Sequence, residues 1–213
     1  MISEDRWQKF RQVVSQRTRY VTLVLEDIFQ AHNASAVIRS CELMGVQDLH
    51  IIENRNNYEI SRDIVVGSHK WVNLHKHNKW VDNTKGCFKH LRKQGYRIVA
   101  TSPHKNDCLL SELPLDNKTA LVFGNEGGGL SDTALENVDA FVKIPMYGLT
   151  ESYNLSVSAA ICMYELIHRM KKEEQNWQLS QEEQDILLFN YALNSIRNPI
   201  TFMRRMKAEL STR

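Results

Sequence analysis

Apolar positions recur along the chain with two different periods. Trp7, Phe10 and Val14 share one stripe of a 3.6-residue repeat and predict an amphipathic helix over residues 4–16. Val21 to Leu25, Leu49 to Ile52, Tyr96 to Thr101, Thr119 to Phe123 and Ala140 to Ile144 are short β-favouring runs, each the length of a buried strand. Between them the spacing turns helical, from about Ala34 to Met44 and from about Val81 to Lys93, and each helix runs out at a glycine, Gly45 or Gly95. Ser131 and Asp132 open a helix over Thr133 to Val138, and a longer helix runs from about Asn154 to Lys172. Residues 173–213 are polar and charged at first, then give two helices split by Asn198-Pro199.

Strands alternating with helices of these lengths predict an α/β fold, a mostly parallel sheet covered by helices on both faces. The division that follows is a helix in residues 1–19, an α/β domain over residues 20–172 and a helical extension over residues 173–213. Ligands bind such sheets at the carboxyl ends of the strands. The loops after Leu25, Thr101, Phe123 and Ile144 are therefore expected to converge.

The loop after Phe123 is the most unusual. Gly124-Asn125-Glu126-Gly127-Gly128-Gly129 follows a strand directly, and its glycines allow close approach of the backbone to a ligand. A phosphate-cradling G-x-x-x-x-G-K-[ST] needs a lysine that is missing here, and G-x-G-x-x-G counted from Gly127 meets Asp132 in place of its last glycine. Glu126 would also repel a polyphosphate, so the turn suits a neutral or cationic ligand, unless it is a glycine-rich turn with no ligand at all.

Composition narrows the class. The chain has 213 residues, 42% hydrophobic and 24% charged, as expected of one globular domain with appended helices. No stretch approaches the roughly 18 apolar residues of a membrane span, and the N-terminus lacks an apolar signal segment, so a cytoplasmic protein with no membrane partner is expected. Cys41, Cys87, Cys108 and Cys162 are dispersed, which predicts reduced thiols. His75-x-His77 is the nearest approach to a metal pair, and with no third ligand nearby no metal is expected. Net charge is +2, yet residues 1–20 carry +3 and residues 195–213 carry +4, leaving the middle acidic. Basic ends are the footprint of a nucleic-acid binder, or else solvated helix faces.

Two further segments carry chemistry. In Ala31-His32-Asn33-Ala34-Ser35-Ala36-Val37-Ile38-Arg39, Asn33 reads as a helix cap, His32 has no assigned role, and Arg39 lies off the buried stripe, one turn beyond Ser35 on a face of small residues. There it either meets a ligand or is a surface arginine. In Ile144-Pro145-Met146-Tyr147-Gly148-Leu149-Thr150-Glu151-Ser152-Tyr153-Asn154-Leu155-Ser156, a strand ends, the chain turns at Pro145 and Gly148, and a Ser-x-Asn opens the long helix.

In this order and spacing the three segments resemble the signature motifs of the SPOUT class of RNA methyltransferases, in its TrmH (SpoU) branch. The first motif, N-x-x-x-x-x-R, is matched by Asn33 and Arg39; the second, F-G-x-E-x-x-G-L, by Phe123 to Leu130. The third, I-P-M-x-G followed by S-L-N-V-S, is matched from Ile144 with Tyr153 and Leu155 as departures, so the resemblance spans residues 20 to 170. It implies a deep trefoil knot in the C-terminal part of the sheet, an exception to unknotted topology. It also implies a homodimer with its active site at the subunit interface, the long third-motif helix offering Ile161, Tyr164 and Leu166 to a partner.

The implied cofactor is S-adenosyl-L-methionine, bound by Thr101, Gly124, Ile144, Met146, Ser152 and Leu155. The implied reaction is methylation of a ribose 2′-hydroxyl, with Arg39 catalytic and Asn33, Glu126 and Asn154 in the catalytic site. The basic terminal helices point to tRNA, at guanosine 18 of the D-loop, with His32, Arg6, Lys9, Arg11, Arg204, Arg205 and Lys207 as RNA contacts; DNA is not expected. The alternatives within the family are another tRNA position, in the anticodon loop, or ribosomal RNA. Outside it stand a nucleotide-binding enzyme of different chemistry and a catalytically silent RNA-binding module.

Overall fold

The run Val21-Thr22-Leu23-Val24-Leu25-Glu26 is buried along its whole length, as a strand covered on both faces must be, and it forms β1 (Val21–Glu26) near the middle of a parallel sheet. A computed structural model describes residues 2–59, 61–102, 108–173, 176–196 and 199. These fall into two compact units, Thr18–Trp177 on the one hand and Met1–Arg17 with Gln178–Arg213 on the other. In chain order the helices are α1 (Glu4–Val14), α2 (Ala31–Met44), α3 (Arg62–Val65), α4 (Asn83–Lys93), α5 (Asp132–Asn137), α6 (Leu155–Lys172) and α7 (Gln181–Ser195). The remaining strands are β2 (Asp48–Ile52), β3 (Asn73–His77), β4 (Tyr96–Thr101), β5 (Cys108–Leu109), β6 (Lys118–Phe123) and β7 (Ala140–Lys143).

Among the described residues the sheet has seven strands, all parallel, in the order β3-β2-β1-β6-β4-β7-β5. Side chains alternate between the faces. Leu23, Leu25, Leu49, Ile51, Val99, Leu121 and Phe123 point to one side, where α2 supplies Val37, Ile38 and Cys41 and α6 supplies Ala159, Met163 and Leu166. Val24, Ile52, Ile98, Ala120 and Val122 point to the other, against Cys87, Phe88 and Leu91 of α4 and Ala134 of α5. Because β1, β6, β4 and β7 are consecutive in the sheet, the loops at their carboxyl ends meet, as expected. β6 inserts between β1 and β4, and β7 between β4 and β5, an order consistent with the knotted threading that the resemblance implies.

The structure departs from the sequence reading in several places. α2 starts at Ala31 with Gln30 as its cap residue, so Asn33 lies inside the first turn and caps nothing. Its amide is used in contacts across the fold, described below. β3 was not anticipated, because Asn-Leu-His-Lys-His has no apolar alternation; as the sheet's edge it pairs with β2 alone and tolerates polar side chains. α2 ends at Gly45 (φ +82°), the left-handed stop the pattern predicted.

In the terminal unit, α1 packs on α7 through Phe10 and Tyr191, whose rings meet edge to face at 5.8 Å, and Ser180 with Glu183 forms a capping box at the start of α7. Arg17 is buried, its guanidinium 5.8 Å from the Tyr191 ring. Arg19, in the other unit, pairs with Asp48 at 2.7 Å. Neither is a free surface charge, so the basic N-terminal count overstates what a polyanion would meet. The expected contacts Arg204, Arg205 and Lys207 lie outside the described residues. No helix among the described residues is long and apolar enough to cross a membrane.

Candidate functional site

β6 delivers Gly124 to the carboxyl edge of the sheet, where the glycine loop folds back on itself. Asn125 and Gly129 exchange backbone hydrogen bonds, 2.9 Å from the Asn125 N–H and 2.8 Å from the Gly129 N–H. A Cβ on Gly124 would lie 2.2 Å from the Gly129 carbonyl carbon, so only glycine fits there. Gly129 is the one glycine of the turn with positive φ, +70°. Asn125, to which the sequence assigned no role, staples the loop: its Oδ1 accepts from the Gly127 and Gly128 N–H groups at 2.7 and 3.3 Å, and its Nδ2 donates to the Asp27 carbonyl at 2.9 Å.

Two carboxylates missed in the sequence hold the neighbouring loops. Glu26, buried at the end of β1, accepts from the Ser131 N–H and hydroxyl at 2.9 and 2.8 Å and from the Thr84 hydroxyl at 2.5 Å. Ser131 in turn caps α5, its Oγ accepting from the Ala134 N–H at 3.1 Å. Asp27, at φ +51°, accepts from the N–H groups of Asn54, Arg55 and Asn56 through one oxygen. Neither leaves a local sequence signature, because their partners are far along the chain.

The converging loops enclose a cleft of about 640 Å³. Thr101, Gly124, Ile144, Met146, Ser152 and Leu155, the six residues expected at a cofactor, all line it, together with Asn33, Glu126 and Asn154. Phe123 and Leu130, the two ends of the second motif, add apolar lining together with Leu135 and Val142, which lie outside the motifs. Among the described residues no lysine, arginine or histidine lines the cleft, and Glu126 is its one carboxylate. The Thr101 hydroxyl donates to the Val122 carbonyl at 3.1 Å, joining the ends of β4 and β6.

Three of the four residues expected in catalysis form one hydrogen-bonded chain. Asn33 Nδ2 donates to Glu126 Oε1 at 2.9 Å and to Gln30 Oε1 at 3.1 Å, and Asn33 Oδ1 accepts from Asn154 Nδ2 at 3.1 Å. The other Glu126 oxygen accepts from the Phe29 N–H at 3.3 Å. Asn154 is the cap of α6, its Oδ1 accepting from the Ser156 N–H and hydroxyl and the Val157 N–H. Both asparagine amides are thus engaged with protein, and their joint effect is to fix the Glu126 carboxylate at the cleft wall.

Arg39 does not line the cleft. Six residues beyond Asn33, it sits about 9 Å further along α2, exposed, with no hydrogen bond or ion pair among the described residues. Ser35, expected beside it, turns inward and accepts from the Ser61 N–H at 3.0 Å. The exposed stripe holding Arg39 contains instead His32 and Leu43. Arg6, Lys9 and Arg11 are exposed on α1, with Arg11 paired to Glu4 at 3.3 Å.

A fully parallel sheet with a cleft at its carboxyl edge that no basic side chain lines among the described residues, walled by a glycine loop, defines an α/β protein built to hold a small ligand beside an ordered carboxylate. Residues 20–164 match the SpoU rRNA Methylase family, and the chain belongs to it. A protein of Borreliella burgdorferi named tRNA (guanosine(18)-2'-O)-methyltransferase is 41% identical over 197 residues, 92% of this chain and 88% of its own length. The crystal structure of the Aquifex aeolicus TrmH/SpoU tRNA modifying enzyme has a TM-score of 0.79 at 31% identity, covering 91% of this chain and 98% of that one. A SpoU methyltransferase of Streptomyces viridochromogenes, in complex with the cofactor AdoMet, shares the fold at 21% identity with a TM-score of 0.63, over 78% of this chain and 62% of its own.

Proposed function

We propose that this chain transfers a methyl group from S-adenosylmethionine to the ribose 2′-hydroxyl of guanosine 18 in the D-loop of tRNA. The observation that carries the reading is the Glu126–Asn33–Asn154 chain on the wall of a cleft that no basic side chain lines among the described residues. Relatives of nearly full length carry that activity in their names.

The cleft fits the cofactor. Its volume lies within the range of small-molecule sites, the backbone is bare at Gly128 and Gly129, and Glu126 complements a cation where lysines would be needed for a polyphosphate. Thr101, Gly124, Ile144, Met146, Ser152 and Leu155 would hold it. S-adenosylmethionine, when bound, supplies an electrophilic methyl group on a positively charged sulfur.

The chain's own contribution is positioning and charge. Asn33 and Asn154 act as positioning residues, holding the Glu126 carboxylate against rotation, and much of the rate of such a transfer comes from alignment. Arg39 is the catalytic cation. A guanidinium stays charged, with a pKa above about 12, so Arg39 binds an RNA phosphate and stabilises negative charge developing on the 2′-oxygen. It stands on the same face as His32, which contacts the RNA alongside it.

Two copies of the chain form the working unit, with the active site at their interface and a cytoplasmic location. Support comes from α6, where Val157, Ile161 and Tyr164 follow one stripe; Tyr164 is 64% exposed beside a second, apolar cleft lined by Leu110, Ile144 and Pro145. Leu166 belongs to the chain's own core and offers nothing to a partner. A melting experiment tests the cofactor assignment. S-adenosylmethionine at a hundredfold excess over its Kd is expected to raise the Tm by about 5–10 °C, and ATP is not; the reverse result would favour a different chemistry.

A further inference from the structure

Away from the cleft, the sheet face that packs on α4 changes character toward its β3 edge. Over β1, β6 and β4 it carries Val24, Ala120, Val122 and Ile98. Over β2 and β3 it carries Asp48, His50, His75 and His77, since the parallel register sets His50 opposite His75 and Ile52 opposite His77. The imidazoles stack, His50 lying 4.7 Å from His75 and 5.2 Å from His77 between ring centres. Cys87, a free and fully buried thiol, comes down onto them from α4. His50 Nδ1 and His77 Nε2 are 2.9 Å apart, and one ligand atom each from His50, His77 and Cys87 falls within 4.8 Å of the others.

Packing does not account for this cluster. His50 and His77 are 2% and 5% exposed, and His77 Nδ1 is buried with no hydrogen-bond partner, an arrangement that costs roughly 1–3 kcal/mol. Burial, reinforced by the surrounding imidazoles, disfavours the charged form of both rings. Trp80 roofs the site, stacked on His77 at 5.3 Å and lying so close over Gly86 that a Cβ there would strike the indole.

We infer that His50, His77 and Cys87 form a binding site for a zinc ion, a structural centre tying β2, β3 and α4 together. Two imidazoles and a thiolate are a zinc donor set. Zinc–nitrogen bonds of about 2.0–2.1 Å in tetrahedral geometry separate two nitrogens by about 3.3 Å. Zinc therefore replaces the hydrogen bond between His50 Nδ1 and His77 Nε2 with an opening of only a few tenths of an ångström, the bridging proton moving to the other nitrogen of its own ring. Binding releases the Cys87 proton to solvent as the Zn–S bond forms, overcoming the burial and the nearby Glu26 carboxylate that hold the thiol protonated. His90, three residues after Cys87 on α4, is exposed and turned to Gln94 at 3.2 Å, which leaves the fourth position to water. The His75-x-His77 pair of the sequence is divided: His75 turns to Asp48 at 2.9 Å, and His77 alone joins the site.

The test uses the full chain, reduced and stripped with a chelator, titrated with Zn²⁺ against a chromophoric competitor and separately with Co²⁺. The expected result is one zinc per chain, a cobalt complex showing thiolate-to-metal charge transfer, and loss of that band with at least tenfold weaker zinc binding in Cys87→Ser. His77→Gln weakens zinc binding likewise, whereas Cys108→Ser changes neither readout. In the unmodified protein held in urea at its unfolding midpoint, where the buried thiol is transiently exposed, zinc also slows alkylation of Cys87, a measurement independent of whether a variant folds. Folded, reduced protein that takes up no stoichiometric zinc, a cobalt complex without the thiolate band, or Cys87 alkylation unaffected by zinc would overturn the inference.

Discussion

Asn33 carries more of the site than its residue type suggests. An asparagine near a helix start usually caps, yet here Gln30 stands at the cap and Asn33 links Glu126 to Asn154. Hydrogen bonds to a charged group contribute about 1.5–3 kcal/mol, so Asn33→Ala is expected to lower kcat/KM about 10- to 100-fold, with a loss of a few degrees in Tm. Arg39→Ala should lower kcat at least as far with no change in Tm, because the side chain is exposed and makes no hydrogen bond or ion pair among the described residues. Arg39→Lys restores little if a planar, bidentate group is required; near-full activity in the lysine variant would reduce Arg39 to a simple charge. Steady-state kinetics with tRNA, beside thermal melting, distinguish these outcomes.

At the scale of elements, the glycine loop and the start of α6 were legible because each is a short motif whose chemistry is local. Gly124 abuts Gly129, Ser131 caps α5 and Asn154 caps α6. What stayed illegible is what joins distant segments: Glu26 to Ser131, Asp27 to Asn54, Asn125 to Asp27, and His50 to His77 and Cys87. β3 was hidden for another reason, since an edge strand need not alternate. Gly124→Ala tests the loop directly. The added methyl meets backbone rather than a side chain that can rotate, and overpacking of this kind costs about 1–3 kcal/mol. The expected outcome is a Tm lowered by several degrees and S-adenosylmethionine binding, measured by calorimetry, weakened more than tenfold. Unchanged binding would mean that the loop does not form the cofactor wall.

For the whole molecule, the α/β unit holds the candidate site, and α1 of the terminal unit carries the exposed cations Arg6, Lys9 and Arg11. Charge counted along the sequence misled in one respect, because Arg17 is buried against Tyr191 and Arg19 is paired with Asp48. The exposed N-terminal cations are Arg6, Lys9 and Arg11, the last paired with Glu4 on the surface, and these are the proposed RNA contacts. Each phosphate contact contributes about 0.7–0.9 to the salt dependence of binding, so replacing all three by alanine should lower the slope of log K against log salt by about 2. An unchanged slope and affinity would remove α1 from the tRNA interface.

The measurement that tests the central claim most directly is methyl transfer by the purified full chain from labelled S-adenosylmethionine to a tRNA transcript, with the product mapped to single nucleotides. A second transcript carries 2′-deoxyguanosine at position 18. The account predicts one 2′-O-methyl group per tRNA, at guanosine 18, abolished by the deoxy substitution and by Arg39→Ala. Methyl groups at another nucleotide, or undiminished transfer to the deoxy transcript, would contradict it.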